Sequence, residues 1–416
     1  MDITLALFIL VYIAMGVGHL PGFQVDRTGA ALVGAMLLIV FGRITPTQAW
    51  ASIDVNTIGL LFGLMVVSAA FVVGGFYDWT ARKVGGRKVG PNALLGLLIA
   101  VGGVLSALLT NDVVVVAMTP VLCAIALARK LNPVPFLLGF CFATNVGSTA
   151  TLIGSPQNMI IAQALNISFT DFSSITLVPS IIGLFLIWLV LVVCYRGRWV
   201  LESASPPVAS GTQPPLTSTA PLDTMETVKA GVITLALIAA FIFTDWPHML
   251  IALAGASILL LNRKISSGDM LVHVDGNLLL LLMGLFVVNA AMAATGLPQT
   301  LLGDIKNAGI DLYAPVPMLL ISGVLSNIVG NSPAVMLLAP FLSGAAQTET
   351  LGAAIALGTG FSSNAIVFGS LAGIIVVEQA RAQGVKISFG EFLRGGLPVT
   401  LASTLLAVGW ILYLGM

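Results

Sequence analysis

Apolar runs of about 20 residues recur along the whole chain of 416 residues and constrain its fold more than any other feature. A helix needs about 20 residues to cross a hydrocarbon core of roughly 30 Å. Only 8% of the residues are charged, against roughly 25% in soluble globular proteins. The runs lack the alternation of apolar and polar residues that a membrane β-barrel requires. We therefore expect an all-α membrane protein with about ten to twelve transmembrane helices.

Charge and cysteine usage exclude several other classes. The formal net charge is zero, and no block of Lys and Arg is dense enough to predict a nucleic-acid partner. Membrane lipid is instead the expected partner of the apolar surface. Cys123, Cys141 and Cys194 lie far apart in apolar sequence, which predicts buried thiols rather than a disulfide or a metal site. We expect no metal and no other cofactor.

One polar segment interrupts the apolar pattern near the middle of the chain. It runs from Arg196 to Thr227 and is rich in Pro, Ser and Thr, which predicts a flexible linker. The linker divides the chain into two parts of similar length. We predict a first repeat over residues 1–196, a cytoplasmic linker over 197–227 and a second repeat over 228–416.

The two parts share an internal sequence repeat. Residues 63–70 read GLMVVSAA and residues 284–291 read GLFVVNAA, with six identities in eight positions at an offset of 221. At an offset of 220, GVLSALLTNDVVVVAMTP in the first part meets GVLSNIVGNSPAVMLLAP in the second. Two shorter pairs, FATN with FSSN and ISFTDF with ISFGEF, follow in the same order. Both parts are therefore expected to share one fold.

Basic residues predict that the two parts have opposite orientations in the membrane. The loop after the third apolar run contains Arg82, Lys83, Arg87 and Lys88. The positive-inside rule places this loop in the cytoplasm and the N-terminus outside. The linker region carries basic residues too, so the second part is expected to begin in the cytoplasm. Inverted-topology repeats are typical of secondary transporters, and we predict a multi-pass protein of the cell inner (plasma) membrane.

Polar residues collect at two places in each part, and these places correspond across the repeat. In the first part they include Asn111 and Asp112, then Asn145, Ser148, Thr149, Thr151 and Asn158. In the second part they include Asn327, Asn331 and Ser332, then Ser363, Asn364 and Ser370. A break in a membrane helix frees backbone groups that need partners, so it is tolerated where it lines a cavity. Prolines near each cluster are consistent with re-entrant hairpins or broken helices.

We therefore predict that these residues form one substrate or ion site near the bilayer midplane. Helix N-termini at the breaks would attract an anion, whereas carbonyl, Asn and Ser oxygens could ligate a small cation. The alternative for Asn111, Asn145, Asn331 and Asn364 is hydrogen bonding between packed helices. Their repeat-related positions beside Gly, Ser or Thr favour a site.

Asp112 is the one carboxylate within these sequence clusters. A charged carboxylate near the bilayer centre costs about 3 kcal/mol or more, so it needs a partner or a proton to carry. We predict that Asp112 couples transport to a proton or a cation. The alternative is a structural carboxylate that neighbouring amides satisfy. Ser332 occupies the equivalent position in the second part, so the two parts differ in chemistry there.

The sequence resembles the ion transporter superfamily, and within it the citrate-transporter-like branch of arsenite permeases, sodium/proton antiporters and divalent-anion symporters. The resemblance covers nearly the whole chain. It rests on LTNDVVVVAMTP, ATNVGSTATLIGSPQN, SNIVGNSPAVMLLAP and FSSNAIVFGSLAG. The Asn111-Asp112 tip is similar to that of the arsenite permease group, whereas the symporters carry Ser-Asn-Thr at both tips. The resemblance implies a scaffold domain, a mobile transport domain with two hairpins, and a homodimer.

Several functions remain open at this stage. No Arg or Lys falls within the clusters, and Asp112 would repel a highly charged anion, so a neutral hydroxy acid suits them better. The leading hypothesis is proton-coupled efflux of arsenite or antimonite. The alternatives are sodium/proton antiport, with Na⁺ as coupling ion, and di- or tricarboxylate transport. An ion channel is an alternative of another class. No nucleophile and base pair or HExxH motif lies inside the runs, so we do not expect an enzyme.

Overall fold

The computed structural model describes residues 2–20, 22–200, 221–298, 300, 307, 311–342, 345 and 347–415. Within these ranges the chain forms helices and two isolated β-bridges, with no strand. The prediction of an all-α fold is thus confirmed. The central residues 201–220 of the predicted linker lie outside the described ranges.

The helices of the first part are α1 (Ile3–Val17), α2 (Arg27–Val40), α3 (Pro46–Ser52), α4 (Val55–Val73), α5 (Phe76–Gly85), α6 (Pro91–Leu108), α7 (Asn111–Ala128), α8 (Pro133–Ser148), α9 (Pro156–Leu165) and α10 (Phe169–Cys194). Those described in the second part are α11 (Thr224–Phe243), α12 (His248–Leu260), α13 (Ser267–Leu271), α14 (Gly276–Ala293), α15 (Pro315–Val329), α16 (Asn331–Leu338), α17 (Thr348–Ser362), α18 (Leu371–Ala382) and α19 (Phe389–Leu414).

Seven of these helices are long and apolar enough to cross a membrane: α4, α6, α7, α10, α11, α14 and α19. Five shorter apolar helices accompany them, namely α1, α2, α8, α12 and α15. Many apolar side chains of the long helices are exposed, as on α10, where Phe185 is 57% exposed. Such surfaces are stable in lipid rather than in water, so the chain is a multi-pass membrane protein.

The helices break where the polar clusters lie. Helices α6 and α7 meet at residues 109–110, and α15 and α16 meet at Gly330, which has a φ of 93° that suits glycine. We name α6 with α7 the first hairpin, and α15 with α16 the second hairpin. Helix α8 is separated from α9 by a short 3₁₀ turn, and α17 is separated from α18 in the same way. The predicted hairpins and broken helices are thus present in both parts.

Helices of the two parts pack against each other at their interface. Helix α2 packs against α14, and its repeat mate α12 packs against α4, which is the repeat mate of α14. Glycine permits both contacts, because a Cβ on Gly63 would lie 2.7 Å from the carbonyl carbon of Ala252, and one on Gly284 would lie 2.8 Å from that of Ala31. The same close packing therefore occurs twice, at positions 221 residues apart.

Helices α10 and α19, whose sequences are related at an offset of 220, run antiparallel to each other. The indole nitrogen of Trp410 donates to the carbonyl oxygen of Ile175 at 2.8 Å, near one end of the pair. The Cys194 thiol lies 3.9 Å from the carbonyl oxygen of Arg394, near the other end. Equivalent helices of the two parts thus point in opposite directions here.

The first helix of the second part begins before residue 228, where the second repeat is predicted to start. Helix α11 starts at Thr224, inside the segment that we predicted to be linker. The carboxylate of Asp223 accepts hydrogen bonds from the backbone amides of Met225 and Glu226 at 3.1 Å, which caps the helix. This cap, rather than the first long apolar run, sets the boundary.

Candidate functional site

The tips of both hairpins line one cavity of about 210 Å³, which we name the central cavity. The first hairpin contributes Asn111 and Asp112, and the second contributes Asn331 and Ser332. Asn111 and Ser332 are buried, whereas Asp112 and Asn331 are half-buried. The interface of the two parts therefore brings together two predicted clusters that are more than 200 residues apart in sequence.

The N-terminal ends of six helices surround the central cavity. The lining residues at these ends are Arg27 and Thr28 of α2, Asn111 and Asp112 of α7, Pro156 and Gln157 of α9, Asp275 and Asn277 at α14, Asn331 to Pro333 of α16, and Ser370 and Leu371 at α18. A helix N-terminus has unpaired amide donors and a partial positive charge. The cavity therefore favours a ligand that presents oxygen atoms or negative charge.

Three charged side chains line the same cavity. They are Arg27, Asp112 and Asp275, so the walls carry one positive and two negative groups when all three are ionised. Asp275 caps α14 by accepting from the amide of Leu278 at 3.0 Å. Asp112 forms no hydrogen bond and no ion pair within the described residues. Its carboxylate is thus available to a ligand or a proton.

Sequence reasoning missed the lining residues outside the clusters: Arg27, Thr28, Gln157, Asp275 and Asn277. No Arg or Lys falls within the clusters themselves, so the clusters do not indicate a basic residue at the site. One available signal was the repeat itself. Asp275 and Asn277 match Asp54 and Asn56 at the offset of 221, directly before equivalent helices.

Asn145 and Asn364, which are repeat mates, hydrogen-bond to each other. The amide nitrogen of Asn145 donates to the side-chain oxygen of Asn364 at 3.0 Å and to the hydroxyl of Ser370 at 3.0 Å. Ser370 lines the central cavity, and the hydroxyl of Ser363 donates to Asn331 at 3.0 Å. The asparagines of both helix breaks are thereby connected to the cavity wall.

Other predicted residues satisfy backbone groups at the breaks and do not line the central cavity. Ser148 donates to the carbonyl oxygen of Asn145 at 2.9 Å, and Thr149 donates to that of Val146 at 2.7 Å. Thr151 donates to the carbonyl oxygen of Ala107. In this structure these hydroxyls satisfy backbone carbonyl groups in and beside the broken helix.

Asn158 and Asn327 bridge the breaks in a similar way. The amide nitrogen of Asn158 donates to the carbonyl oxygens of Ser148 and Thr151, both at 2.9 Å. That of Asn327 donates to the carbonyl oxygens of Gly323 at 2.9 Å and Ser362 at 3.1 Å. Asn158 thereby joins α9 to the last residue of α8 and to the turn that follows it, and Asn327 joins α15 to the last residue of α17.

Several buried side-chain oxygens at the site have no hydrogen-bond partner within the described structure. They are the carboxamide oxygens of Asn111, Asn145, Asn158 and Asn327 and the hydroxyl of Ser155. A buried acceptor without a partner costs about 1 to 3 kcal/mol, so such atoms are rare in folded proteins. Asn111 is also one of the residues that line the central cavity, although its side-chain oxygen is itself buried. The acceptor on the cavity wall without a partner within the described residues is the carboxylate of Asp112.

Comparison with known proteins agrees with this architecture. The chain is 31% identical to a 46 kDa membrane protein of Mycobacterium leprae, covering 100% of this chain and 99% of that protein. It is 28% identical to a silicon efflux transporter of Oryza sativa, over 93% of each chain. The solved YdaH transporter of Alcanivorax borkumensis superposes with a TM-score of 0.59 at 16% identity, covering 99% of this chain and 97% of that one, which shows a shared fold. Residues 8–373 match the citrate transporter family, so the chain belongs to this family and is a membrane transporter rather than an enzyme.

Proposed function

We propose that the protein exports a small inorganic hydroxy acid in exchange for protons, with arsenite or antimonite as the first candidates. The observation that carries this proposal is the mixture of donors and acceptors in the central cavity. The N-termini of α7, α9 and α16 have no side-chain cap and offer amide donors, while the Asp112 carboxylate offers oxygen atoms without partners within the described residues. A neutral hydroxy acid such as arsenous acid matches both, because each of its hydroxyl groups accepts and donates.

The charges of the cavity support a proton as coupling ion. Arg27 forms no ion pair with either carboxylate within the described residues, and Asp275 already accepts from an amide of its own helix. Asp112 is then the group that gains or loses a proton as the substrate leaves or enters. The name of the silicon efflux relative supports export of this chemical class, since silicon in neutral water is also a neutral hydroxy acid.

We propose that the two halves form an inverted repeat, in which equivalent helices cross the membrane in opposite directions. The antiparallel packing of α10 and α19 supports this arrangement. The exposed rim of the cavity at Asp275 and Asn277 lies at the end of α14 that follows the basic residues Arg263 and Lys264. Under the positive-inside rule this end faces the cytoplasm of an inner-membrane protein whose N-terminus is outside.

Transport in proteoliposomes tests the proposed function. The purified protein is reconstituted, and uptake of arsenite, antimonite, silicic acid, citrate and Na⁺ is measured with and without an imposed pH gradient. We expect one or more of the three hydroxy acids to be driven by the pH gradient and to saturate. Movement of Na⁺ against protons without any hydroxy acid would instead identify a sodium/proton antiporter. Unsaturable flux at channel-like rates would contradict a carrier.

A carboxylate substrate is the second candidate, because Arg27 lies in the cavity together with the helix N-termini. These groups favour an anion more than the sequence clusters alone do. The citrate arm of the same assay decides between the two candidates. If citrate is transported and the hydroxy acids are not, the proposed substrate class is wrong, but the central cavity remains the proposed binding site.

A further inference from the structure

Arg129, at the end of α7, fixes the position of a basic loop. Its guanidinium donates to the carbonyl oxygens of Gly85 and Val89, both at 2.9 Å, and to that of Arg87 at 3.1 Å. These three carbonyl groups lie between the end of α5 and the start of α6. The carbonyl groups face Arg129, whereas the side chains of Arg87 and Lys88 are exposed. The loop therefore presents its charges from a defined position against α7.

Asn132 binds a second basic segment beside this loop. Its side-chain amide donates to the carbonyl oxygen of Arg198 at 3.1 Å, and its backbone amide donates to that of Trp199 at 2.9 Å. Both carbonyl groups belong to the segment that follows α10. Three residues span at most about 11 Å, so Arg129 and Asn132 bring the two basic segments close together.

We name the resulting patch the basic surface. It consists of six exposed basic residues that form no ion pair within the described part of the chain: Lys83, Arg87, Lys88, Lys130, Arg196 and Arg198. The carboxylate of Asp78, on α5, pairs with Arg82 at 3.4 Å. The basic surface thus carries positive charge that the described residues do not neutralise, and it suits an anionic partner.

The internal repeat indicates that the fold does not require these charges. At offsets of 221 and 220, the second part carries Asp304 and Glu349 where the first carries Lys83 and Arg129. The positive-inside rule accounts for the number of basic residues at this end of the first part. It does not account for the hydrogen bonds that bring them together. A binding role explains both the charge and the arrangement.

Two tryptophans indicate that the basic surface lies at the level of lipid headgroups. Trp79 is 39% exposed, and the ammonium group of Lys83 lies 4.8 Å from the centre of its ring. The indole nitrogen of Trp188 donates to the carbonyl oxygen of Asn92, in the first turn of α6, at 2.9 Å. Tryptophan is enriched at the boundary between membrane and water.

An exposed apolar stripe on α10 leads to the basic surface. Phe185, Leu189 and Val193 are 57%, 43% and 67% exposed. They are spaced four residues apart and so lie on one face of the helix, and Arg196 follows three residues later. A molecule with an acyl chain and an anionic headgroup matches the stripe and the charges together. A soluble anion would match the charges alone.

We propose that the basic surface binds the headgroup of an anionic phospholipid whose acyl chains lie along the exposed face of α10. The Lys and Arg side chains donate to the phosphate oxygens. Arg129 is a positioning residue, because its guanidinium contacts the backbone of the loop and orders the charges beside it. The inference goes beyond the proposed function and does not depend on the substrate of the central cavity.

Lipid binding to the purified full-length protein tests this inference. Native mass spectrometry in detergent measures the affinity for phosphatidylglycerol and for zwitterionic phosphatidylcholine. The double variant Lys88→Gln with Arg198→Gln removes one charge from each basic segment. It should lower the affinity for phosphatidylglycerol about tenfold or more and leave that for phosphatidylcholine unchanged. Should this variant melt at a lower temperature than the native protein, Arg87→Gln with Arg196→Gln makes the same test.

The matched control is Arg263→Gln with Lys386→Gln, which removes two exposed basic residues from the second part. It should leave the affinity for phosphatidylglycerol unchanged. Equal affinities of the native protein for the two lipids would overturn the proposal, as would equal losses in the test and control variants. Displacement of phosphatidylglycerol by an excess of inorganic phosphate would show that the surface binds phosphate alone, and would overturn the assignment to a lipid.

Discussion

Asp112 is a half-buried carboxylate at the tip of the first hairpin and makes no hydrogen bond or ion pair within the described residues. Its repeat mate is Ser332, which lines the same cavity and carries no charge. The hydrogen-bonding groups of the two tips are thus comparable, but a change of charge is available at one tip alone. For this reason we propose Asp112 as the residue at which a proton gradient acts.

We predict that Asp112→Asn separates binding from coupling. The amide keeps the shape and the hydrogen-bonding capacity of the carboxylate but cannot exchange a proton at neutral pH. Substrate exchange in proteoliposomes should persist, whereas an imposed pH gradient should no longer accelerate transport. Thermal stability should be unchanged or higher, because a charged carboxylate in the membrane costs about 3 kcal/mol. Full gradient-driven transport by this variant would show that Asp112 has a structural role and does not couple transport to protons.

At the scale of elements, two pairs of parallel helices join the halves through close glycine contacts. Gly59 and Gly63 of α4 face α12, and Gly284 of α14 faces α2. Backbone atoms of the partner helix lie where a side chain would begin at Gly63 and Gly284. In lipid, where helices gain little from burying apolar area, such close approach is a main source of helix association.

We predict that Gly63→Ala and Gly284→Ala each destabilise the protein by about 1 to 3 kcal/mol, because the new Cβ would overlap backbone atoms of Ala252 or Ala31. The melting temperature in detergent should fall in both variants. Gly231→Ala is a matched control in helix α11, where an added Cβ meets no atom within 4 Å. The control should be neutral or slightly stabilising. Equal melting temperatures in all three variants would show that these contacts do not limit stability.

For the whole molecule, the distribution of basic residues predicts which face is cytoplasmic. Lys88 follows α5, and Trp246 lies between α11 and α12; both are exposed. We predict that a membrane-impermeant maleimide labels Lys88→Cys in inside-out vesicles and Trp246→Cys in right-side-out vesicles, each in the background without native cysteines. The reverse pattern would place the N-terminus in the cytoplasm. It would also reverse the face to which the central cavity opens.

The all-α membrane fold, the repeat and the positions of the helix breaks could all be predicted from sequence. Each of these features depends on residues that are close in the chain: a long apolar run, or an Asn beside Gly and Pro within it. The four asparagines Asn111, Asn145, Asn331 and Asn364 were found in this way. The repeat showed that their positions correspond, and so predicted that the two halves would present the same polar groups to a shared centre.

The charge of the cavity was decided by tertiary structure alone. Arg27 and Asp275 are far apart in sequence, and neither lies in a polar cluster. They meet the hairpin tips because α2 packs against α14 of the other half, a contact that joins residues about 250 positions apart. Tertiary structure also decides which of the predicted site residues line the cavity. Whether Asn158 satisfies two carbonyl groups or faces the cavity depends on the path of the chain after the break, and local sequence does not encode that path.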